Sequence, residues 1–146
     1  MPLFPGNWAI TKYDSSFESN KDFLSTCIFK WSFNIKPDIV IHTDVERAIC
    51  IEAKYGSGEG QYPGTEHDKR VFRRRNMNFV KQTSLQRHMM TELLGVETQF
   101  LFLVKNDSGG SDTHRTISWR RAFSCMKIEN CPPFAADMLA NLGVSI

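Results

Sequence analysis

The sequence predicts an α/β domain in which helices cover a central sheet, and three features of the chain indicate that class. Two apolar runs that alternate in the strand manner, 37–41 and 49–54, are typical of neighbouring strands. A continuous apolar run at 100–104 is as long as a strand buried on both faces. Between them, segment 78–94 spaces its apolar residues as a helix does. The order of helix, three strands, helix, strand and helix therefore predicts a layered α/β fold.

Length and composition are those of one folded domain. The chain has 146 residues, 41% of them hydrophobic, so we expect a single domain over residues 1–146 with its own core. No apolar run approaches the roughly 20 residues that span a bilayer, and the N-terminus has no signal-peptide pattern. The four cysteines show no zinc or redox spacing. We therefore expect an intracellular, cytoplasmic protein without a membrane partner.

The first elements are assigned from turn residues and side-chain spacing. Residues 1–13, which contain prolines and a glycine, are predicted to form an irregular arm. Ser15 and Glu18 have the S-x-x-E spacing of a capping box, which predicts the start of the first helix. A first strand is predicted over 29–35. Pro37 suits the start of the second strand, because proline cannot donate to a strand ladder.

Two carboxylates are predicted to meet on the second and third strands. If the hairpin turn is centred on Val45, Asp38 and Glu52 are equidistant from it and therefore pair directly. Directly opposed Cβ atoms lie about 5 Å apart, so the two negative charges repel unless a cation lies between them. Lys54 shares the strand face of Glu52, because side chains alternate along a strand. The hairpin therefore predicts a metal site, against the alternative of a surface Glu–Lys pair on an edge strand.

A glycine-rich and then basic segment follows the hairpin. Residues 55–77 are predicted to form a flexible loop, because five of the ten residues at 55–64 are glycine or proline. From Lys69 to His88 the chain contains no acidic residue. Such a cluster indicates a polyanionic partner, unless its arginines meet surface acids such as Asp44 and Glu46. The basic residues are Lys69, Arg70, Arg73, Arg74, Arg75, Lys81 and Arg87.

The later elements complete the predicted order. The helix over 78–94 is predicted to end at Gly95, since glycine readily caps a helix C-terminus. Segment 116–126 has helical aromatic spacing, although a short strand near Arg115 is an alternative. A last helix is predicted to begin at Pro132–Pro133 and to end at Leu142–Gly143.

The residues Pro37-Asp38 followed by Glu52-x-Lys54 resemble the motif of the PD-(D/E)XK nuclease superfamily. The resemblance extends over roughly residues 15–105, because the helix, the three strands, the next helix and the apolar strand follow that superfamily's order. It implies a restriction endonuclease-like fold, with a mixed central sheet flanked by helices and an α-β-β-β-α-β core. The motif itself is short, so its place on the predicted strands gives it most of its weight.

The resemblance also implies roles for individual residues. Asp38, Glu52 and the backbone carbonyl of Ala53 would bind Mg²⁺ or Mn²⁺, which prefer oxygen ligands. Lys54 would position or deprotonate the attacking water, or neutralise developing charge. Members often carry an acid on the first helix and a glutamine on the helix after the motif. Glu18 is the acid available, with helix capping as the alternative, and either Gln82 or Gln86 can supply the glutamine.

The function that follows is a metal-dependent endonuclease that hydrolyses DNA phosphodiester bonds. The basic segment would hold phosphates, a contact that does not read sequence, so we expect low intrinsic specificity. A homodimer or a partner protein would have to supply further specificity. The alternatives are a catalytically inactive module that binds nucleic acid or an assembly, a junction-specific enzyme and an RNA endonuclease.

Overall fold

The computed structural model describes residues 14–54, 57–105, 114–125 and 132–141. These ranges contain an α/β arrangement, with a four-stranded mixed sheet and helices on the same chain. The α/β class predicted from the sequence is therefore confirmed. The predicted arm at 1–13 lies outside the described residues.

The first helix, α1, spans Asn20–Asn34. Its N-cap is Ser19, whose side chain accepts hydrogen bonds from the backbone N–H groups of Lys21 and Asp22. The predicted capping box at Ser15 is wrong, because Ser19 satisfies the first free N–H groups of the helix instead. Glu18 consequently precedes the helix rather than lying in its first turn.

The predicted strand over 29–35 is also wrong, since α1 continues to Asn34. The alternating aromatic residues there belong to two different rows of the helix. Trp31 continues a buried row with Phe23 and Cys27, four residues apart, whereas Phe29 and Phe33 pair on a more exposed face with ring centroids 4.9 Å apart. The alternation of aromatic residues at every second position therefore arises from two helical pairs spaced i, i+4, Cys27 with Trp31 and Phe29 with Phe33. The predicted three-strand meander loses its first strand.

The central sheet contains β1 (Ile39–His42), β2 (Arg47–Ala53), β5 (Glu97–Val104) and β6 (Arg115–Ser118), in the order β1-β2-β5-β6. The β1–β2 pair is antiparallel, and the β2–β5 and β5–β6 pairs are parallel. Ile39 pairs with Ile51 and His42 with Ala48, which is the register expected for a turn centred on Val45. The predicted hairpin is therefore confirmed. Its outer strand β1 is exposed along its whole length.

The segment after the hairpin is more ordered than predicted. A small second sheet pairs β3 (Gln61–Tyr62) with β4 (Val80–Lys81), and α2 (Glu66–Arg74) lies between them. The flexible loop predicted over 55–77 is therefore wrong for α2, although residues 55–56 lie outside the described part. Thr65 caps α2 by accepting from the N–H of Asp68 at 3.1 Å. Acidic residues in the first turn and arginines in the last turn also complement the helix dipole.

The helix predicted over 78–94 begins later than expected. It consists of α3 (Gln82–His88) followed by a π-helical segment (Met89–Leu93). Gly95 follows with a φ of +66°, so the predicted glycine cap is confirmed. The strand predicted at 100–104 is confirmed as the buried part of β5. Farther on, α4 (Trp119–Ser124) follows the short strand near Arg115. The last helix, α5, is described over Pro133–Asn141, and its predicted end at Leu142–Gly143 lies outside the described residues.

Two hydrophobic clusters hold these elements together. The larger one joins α1, α2 and α3 through Phe23, Trp31, Phe72 and Leu85. The smaller one joins β2 and β5 to the π-helical segment through Cys50, Phe100 and Met90. The α3 region therefore lies between the sheet and α1, which places its polar face beside the end of β2. Within the described ranges, no helix has the length and apolar character needed to cross a membrane.

Candidate active site

The candidate site lies at the end of the β1–β2 hairpin that is farthest from its turn. Asp38 immediately precedes β1, and its Oδ2 accepts a hydrogen bond of 2.7 Å from the backbone N–H of Ala53. The strand register ends at the Ile39–Ile51 pair, and one further step would place Asp38 opposite Glu52, beside the residue to which this bond ties it. The structure therefore brings Asp38 to the Glu52–Ala53 segment, as the sequence predicted.

Glu52 is the buried acid of the site, with only 1% of its surface exposed. Its Oε1 accepts a hydrogen bond of 2.8 Å from the Gln82 amide and forms an ion pair of 2.6 Å with the Lys54 ammonium. Its Oε2 receives the Gln86 amide at 2.5 Å. Burying a carboxylate is costly unless it is paired and hydrogen-bonded, and these three donors provide that compensation.

Lys54 stands between the buried acid and solvent. It directly follows β2, and 19% of its side chain is exposed. Its backbone N–H donates to the carbonyl oxygen of Leu103 on β5 at 2.7 Å. The backbone is thus fixed by the parallel neighbour, while the ammonium reaches both Glu52 and the surface. The alternative of an exposed surface Glu–Lys pair does not describe this arrangement, because its acid is buried.

The backbone also orients the carbonyl of Ala53. The peptide bond between Ala53 and Lys54 is planar and trans, so its carbonyl and N–H point in opposite directions. Because the N–H of Lys54 points to β5, the carbonyl of Ala53 points to the opposite side, where Asp38 lies. The predicted third oxygen ligand therefore faces the same space as the Asp38 carboxylate.

Both predicted glutamines reach the site. Gln82 and Gln86 lie four residues apart on α3, and their amides bind different oxygens of Glu52. The sequence left the choice between them open, and the structure uses both. Gln86 is fully buried, whereas Gln82 is half-buried at the start of the helix.

The segment before β3 packs closely against the start of α3. The carbonyl of Gly60 accepts from the N–H of Gln82 at 2.8 Å. A Cβ atom on Gly60 would lie 2.5 Å from Oε1 of Gln82, so any larger residue there would force that side chain to shift. The neighbouring Glu59 accepts hydrogen bonds from the backbone N–H and the hydroxyl of Thr83. Sequence reasoning assigned Gly60 only to a flexible loop and missed its contact with the site.

The buried thiol of Cys50 lies close to both carboxylates of the hairpin. Burial, followed by the negative charges of Glu52 and Asp38, raises the pKa of Cys50 to about 11. Cys50 lies two residues before Glu52 on the same face of β2. Both carboxylates therefore act on one buried position, which agrees with their closeness in the hairpin.

The donor set fits a hard divalent cation. Asp38, Glu52 and the Ala53 carbonyl offer oxygen atoms, the ligands that Mg²⁺ and Mn²⁺ prefer. In the part of the chain that the structure describes, Oδ1 of Asp38 accepts no hydrogen bond. No group of three or more His, Cys, Asp or Glu side chains that could hold a metal occurs among the described residues. The candidate site therefore depends on two carboxylates and one backbone oxygen.

The predicted metal role of Glu18 finds no support in the contacts. Glu18 is exposed and precedes α1, and within the described ranges no hydrogen bond or ion pair joins it to Asp38 or Glu52. The physical reason is the later helix start at Ser19, which makes Asp22 the acid of the first helical turn.

The basic cluster divides into structural and exposed residues. Arg75 is mostly buried: its guanidinium binds Asp14, donates to the carbonyl of Phe17 at 2.8 Å and lies 4.5 Å from the ring centroid of Phe23. Arg74 also pairs with Asp14. These two arginines therefore tie the end of α2 to the segment before α1. The predicted alternative partners Asp44 and Glu46 are not the acids that they meet.

The other basic residues have different surroundings. Glu66 pairs with Lys69 at 3.1 Å and with Arg73 at 3.4 Å, and both pairs are on the surface of α2. Arg70 is exposed on the same helix, and Lys81 lies half-buried in β4. Arg87 is exposed on α3, with its guanidinium 4.4 Å from the ring centroid of Phe100.

His114 is a site neighbour that sequence reasoning missed. It is 4% exposed, and its Nε2 lies 3.2 Å from Oε1 of Gln86. No spacing pattern connected His114 to the motif, because the sheet brings it there from just before β6. The parallel pairing of Leu101 with Arg115 is the feature that places it beside Phe100.

Comparison of this chain with protein-family models, curated proteins and solved structures finds no match.

Proposed function

We propose that the protein is an endonuclease that uses Mg²⁺ or Mn²⁺ to hydrolyse DNA phosphodiester bonds. The observation that carries the proposal is the arrangement of Asp38, Glu52 and the Ala53 carbonyl at one end of the hairpin, with Lys54 bound to Glu52. A buried ion pair is weak support for stability, because well-packed apolar residues often serve as well or better. A role in a reaction explains a buried carboxylate with three hydrogen-bond donors beside an exposed carboxylate better than a contribution to stability does.

The order of the elements supports a PD-(D/E)XK assignment. Helix α1 precedes the hairpin, α3 follows it, and β5 lies parallel to β2, the strand that carries Glu52. This order resembles the part of the superfamily core that holds the motif. The chain departs from the expected core in its first strand, since 29–34 is helical. The support therefore comes from the motif strands and their neighbours.

The chemistry assigns a task to each residue. A bound divalent cation would lower the pKa of its water and offset charge on the phosphate oxygens. Asp38 and Glu52 would hold the cation, and the amides of Gln82 and Gln86 would keep the Glu52 carboxylate in one orientation. Lys54 has a partly exposed side chain, and its ammonium would donate to a water or a phosphate oxygen beside them.

Phosphate binding is assigned to the exposed face of α2 rather than to the whole basic cluster. Arg70, Arg73 and Lys69 lie on that helix, and the surface pairs with Glu66 are of the weak kind that a phosphate can replace. Arg75 is assigned a structural role, because its donors are already used within the protein. Such contacts hold the nucleic acid without reading its sequence. Further specificity would then come from a second copy or another protein.

The test is cleavage of plasmid DNA, linear single-stranded DNA, a branched DNA junction and RNA, each with Mg²⁺, Mn²⁺ or EDTA. We expect the wild type to cut DNA only with the metal. Glu52→Ala and Lys54→Ala should each lower the rate by at least about 100-fold, because each removes a group that acts in the transition state. Glu97→Ala and Lys21→Ala are matched controls, since both residues are exposed, Glu97 lies near the turn end of the hairpin and Lys21 lies in the first turn of α1.

The alternatives give different results in the same experiment. An inactive binding module would cut none of the substrates but would bind nucleic acid with a steep dependence on salt. Faster cutting of the junction or of RNA would change the substrate class. Cleavage that survives both substitutions would contradict the site assignment.

A further inference from the structure

Gln86 is bound at both ends of its amide. One end donates to Oε2 of Glu52 at 2.5 Å, and the other lies 3.2 Å from Nε2 of His114. All three side chains are buried, so water does not provide alternative partners in the way it does at a surface. The three residues therefore form one polar chain from the metal-site acid into the interior.

The chemistry of the groups fixes the direction of this chain. An ionised carboxylate only accepts hydrogen bonds, so the NH₂ group of Gln86 must face Glu52. Its carbonyl oxygen consequently faces His114, and that oxygen only accepts. Nε2 of His114 must therefore carry a proton and donate. The donors thus run from His114 to Gln86 and from Gln86 to Glu52.

The ring of His114 is itself held in place. It packs on Phe100 with ring centroids 4.8 Å apart, and Phe100 also lies beneath the guanidinium of Arg87. The ring comes from the residue before β6, whereas Gln86 comes from α3. The contact between His114 and Gln86 therefore connects the sheet to α3 in the buried region beside Glu52.

We propose that His114 is a positioning residue that sets the orientation of the Gln86 amide and thereby holds the Glu52 carboxylate ready for a cation. This inference rests on the proposed metal-dependent function. Glu52 selects which end of the Gln86 amide faces it, and the His114 donor holds the other end. Without that donor, the buried carbonyl oxygen of Gln86 loses this hydrogen bond, and the amide can rotate out of its contact with Glu52. Such outer contacts to a ligand typically change metal affinity by about 10- to 100-fold.

The test compares two substitutions of His114. His114→Phe keeps a flat ring against Phe100 but removes the donor, whereas His114→Gln places an amide donor near the original Nε2. Binding of Mn²⁺ alone is measured by calorimetry. We expect an affinity loss of about 10- to 100-fold for His114→Phe and less than about threefold for His114→Gln. In a Gln86→Met background, His114→Phe should change the affinity by less than about threefold, because its route to Glu52 is already absent.

A second measurement does not depend on metal binding. Hydrogen exchange of the Gln86 side-chain amide, followed by NMR without metal, should be slow in the wild type and in His114→Gln. It should become fast in His114→Phe, while thermal melting shows that each variant is folded. Slow exchange in a folded His114→Phe variant would overturn the proposal, as would equal affinity losses with and without Gln86. If no variant binds Mn²⁺, the proposed function fails, and the exchange result still decides the role of His114.

Discussion

At the scale of single residues, Glu52 is the group that most needs an explanation. It is buried at the end of a strand and is compensated by three side chains that lie 2, 30 and 34 residues away in sequence. Breaking such a cluster by removing one partner leaves a buried charge, which typically costs about 3–5 kcal/mol. The site is therefore both a stability risk and a preorganised environment for a carboxylate.

Adding a single Cβ atom at Gly60 tests whether the position of Gln82 matters for the reaction. In Gly60→Ala the new Cβ would meet Oε1 of Gln82, so the amide must shift, and we expect the shift to disturb the hydrogen bond from its Nε2 to Glu52. The cost in stability should stay small, because the contact is with the end of a flexible side chain. We expect the Mg²⁺-dependent cleavage rate to fall by about tenfold or more, as for other contacts that orient a metal ligand.

Gly58→Ala is the matched control, because nothing lies within 4 Å of a Cβ atom at that position. Its cleavage rate and melting temperature should equal those of the wild type. A Gly60→Ala protein that cuts at the wild-type rate would show that Gln82 is not needed for the reaction.

The motif residues were predictable because a short hairpin with its turn centred on Val45 has one register, which places Asp38 opposite Glu52. Asp38 and Glu52 follow from that register, Lys54 follows from the alternation of side chains along the strand, and Ala53 was implied by the family resemblance. His114 and Gly60 were not predictable, since their contacts depend on pairing and packing between segments far apart in sequence. No local pattern in the chain marks either of them as a neighbour of Glu52.

At the scale of elements, α2 is joined to the start of α1 by charge. Burial opposes ionisation of Asp14, but the hydrogen bonds and charges of Arg75 and Arg74 outweigh it and lower its pKa below the usual 3.8. A lowered folded-state pKa contributes stability that is fully present above the unfolded value. That stability is lost as the pH falls through the folded value.

Asp14→Asn should therefore destabilise the protein by about 1–3 kcal/mol at neutral pH, since it weakens charge-assisted hydrogen bonds to two arginines. The difference from the wild type should shrink as the pH falls below 3.8. Urea unfolding at several pH values measures it. Asp44→Asn, in an exposed turn with a surface pair to Arg47, should cost much less than Asp14→Asn. A pH-independent difference for Asp14→Asn would contradict the charge argument.

The strand predicted over 29–35 was wrong because the same residues fit both a strand alternation and a helical spacing. The aromatic residues at 29–35 alternate as a strand does, but Phe23, Cys27 and Trp31 continue one buried helical row. Packing of that row against α2 and α3 decides for the helix. For α2, the signal was present: Thr65 followed by Glu66 and Asp68 is a helix-start pattern. The nearby glycines and prolines concealed it.

At the scale of the whole molecule, the site lies where three parts of the chain meet. The hairpin supplies the acids, β5 fixes the backbone of Lys54, and α3 supplies the amides. The α/β class and most elements were predictable, because periodicity reports which side of each segment is buried. The mixture of antiparallel and parallel pairs agrees with the mixed sheet that the resemblance implied, but the order β1-β2-β5-β6 became visible only with the structure.

The central claim is that the open end of the hairpin binds a divalent cation, and direct titration with Mn²⁺ tests it most closely. We expect one ion per chain in the wild type and an affinity at least about tenfold lower in Asp38→Asn, because a carboxylate ligand is lost. Asp44→Asn changes the same residue type in the turn at the opposite end of the hairpin and should bind like the wild type. Absence of binding by the wild type, or equal weakening by both substitutions, would contradict the claim.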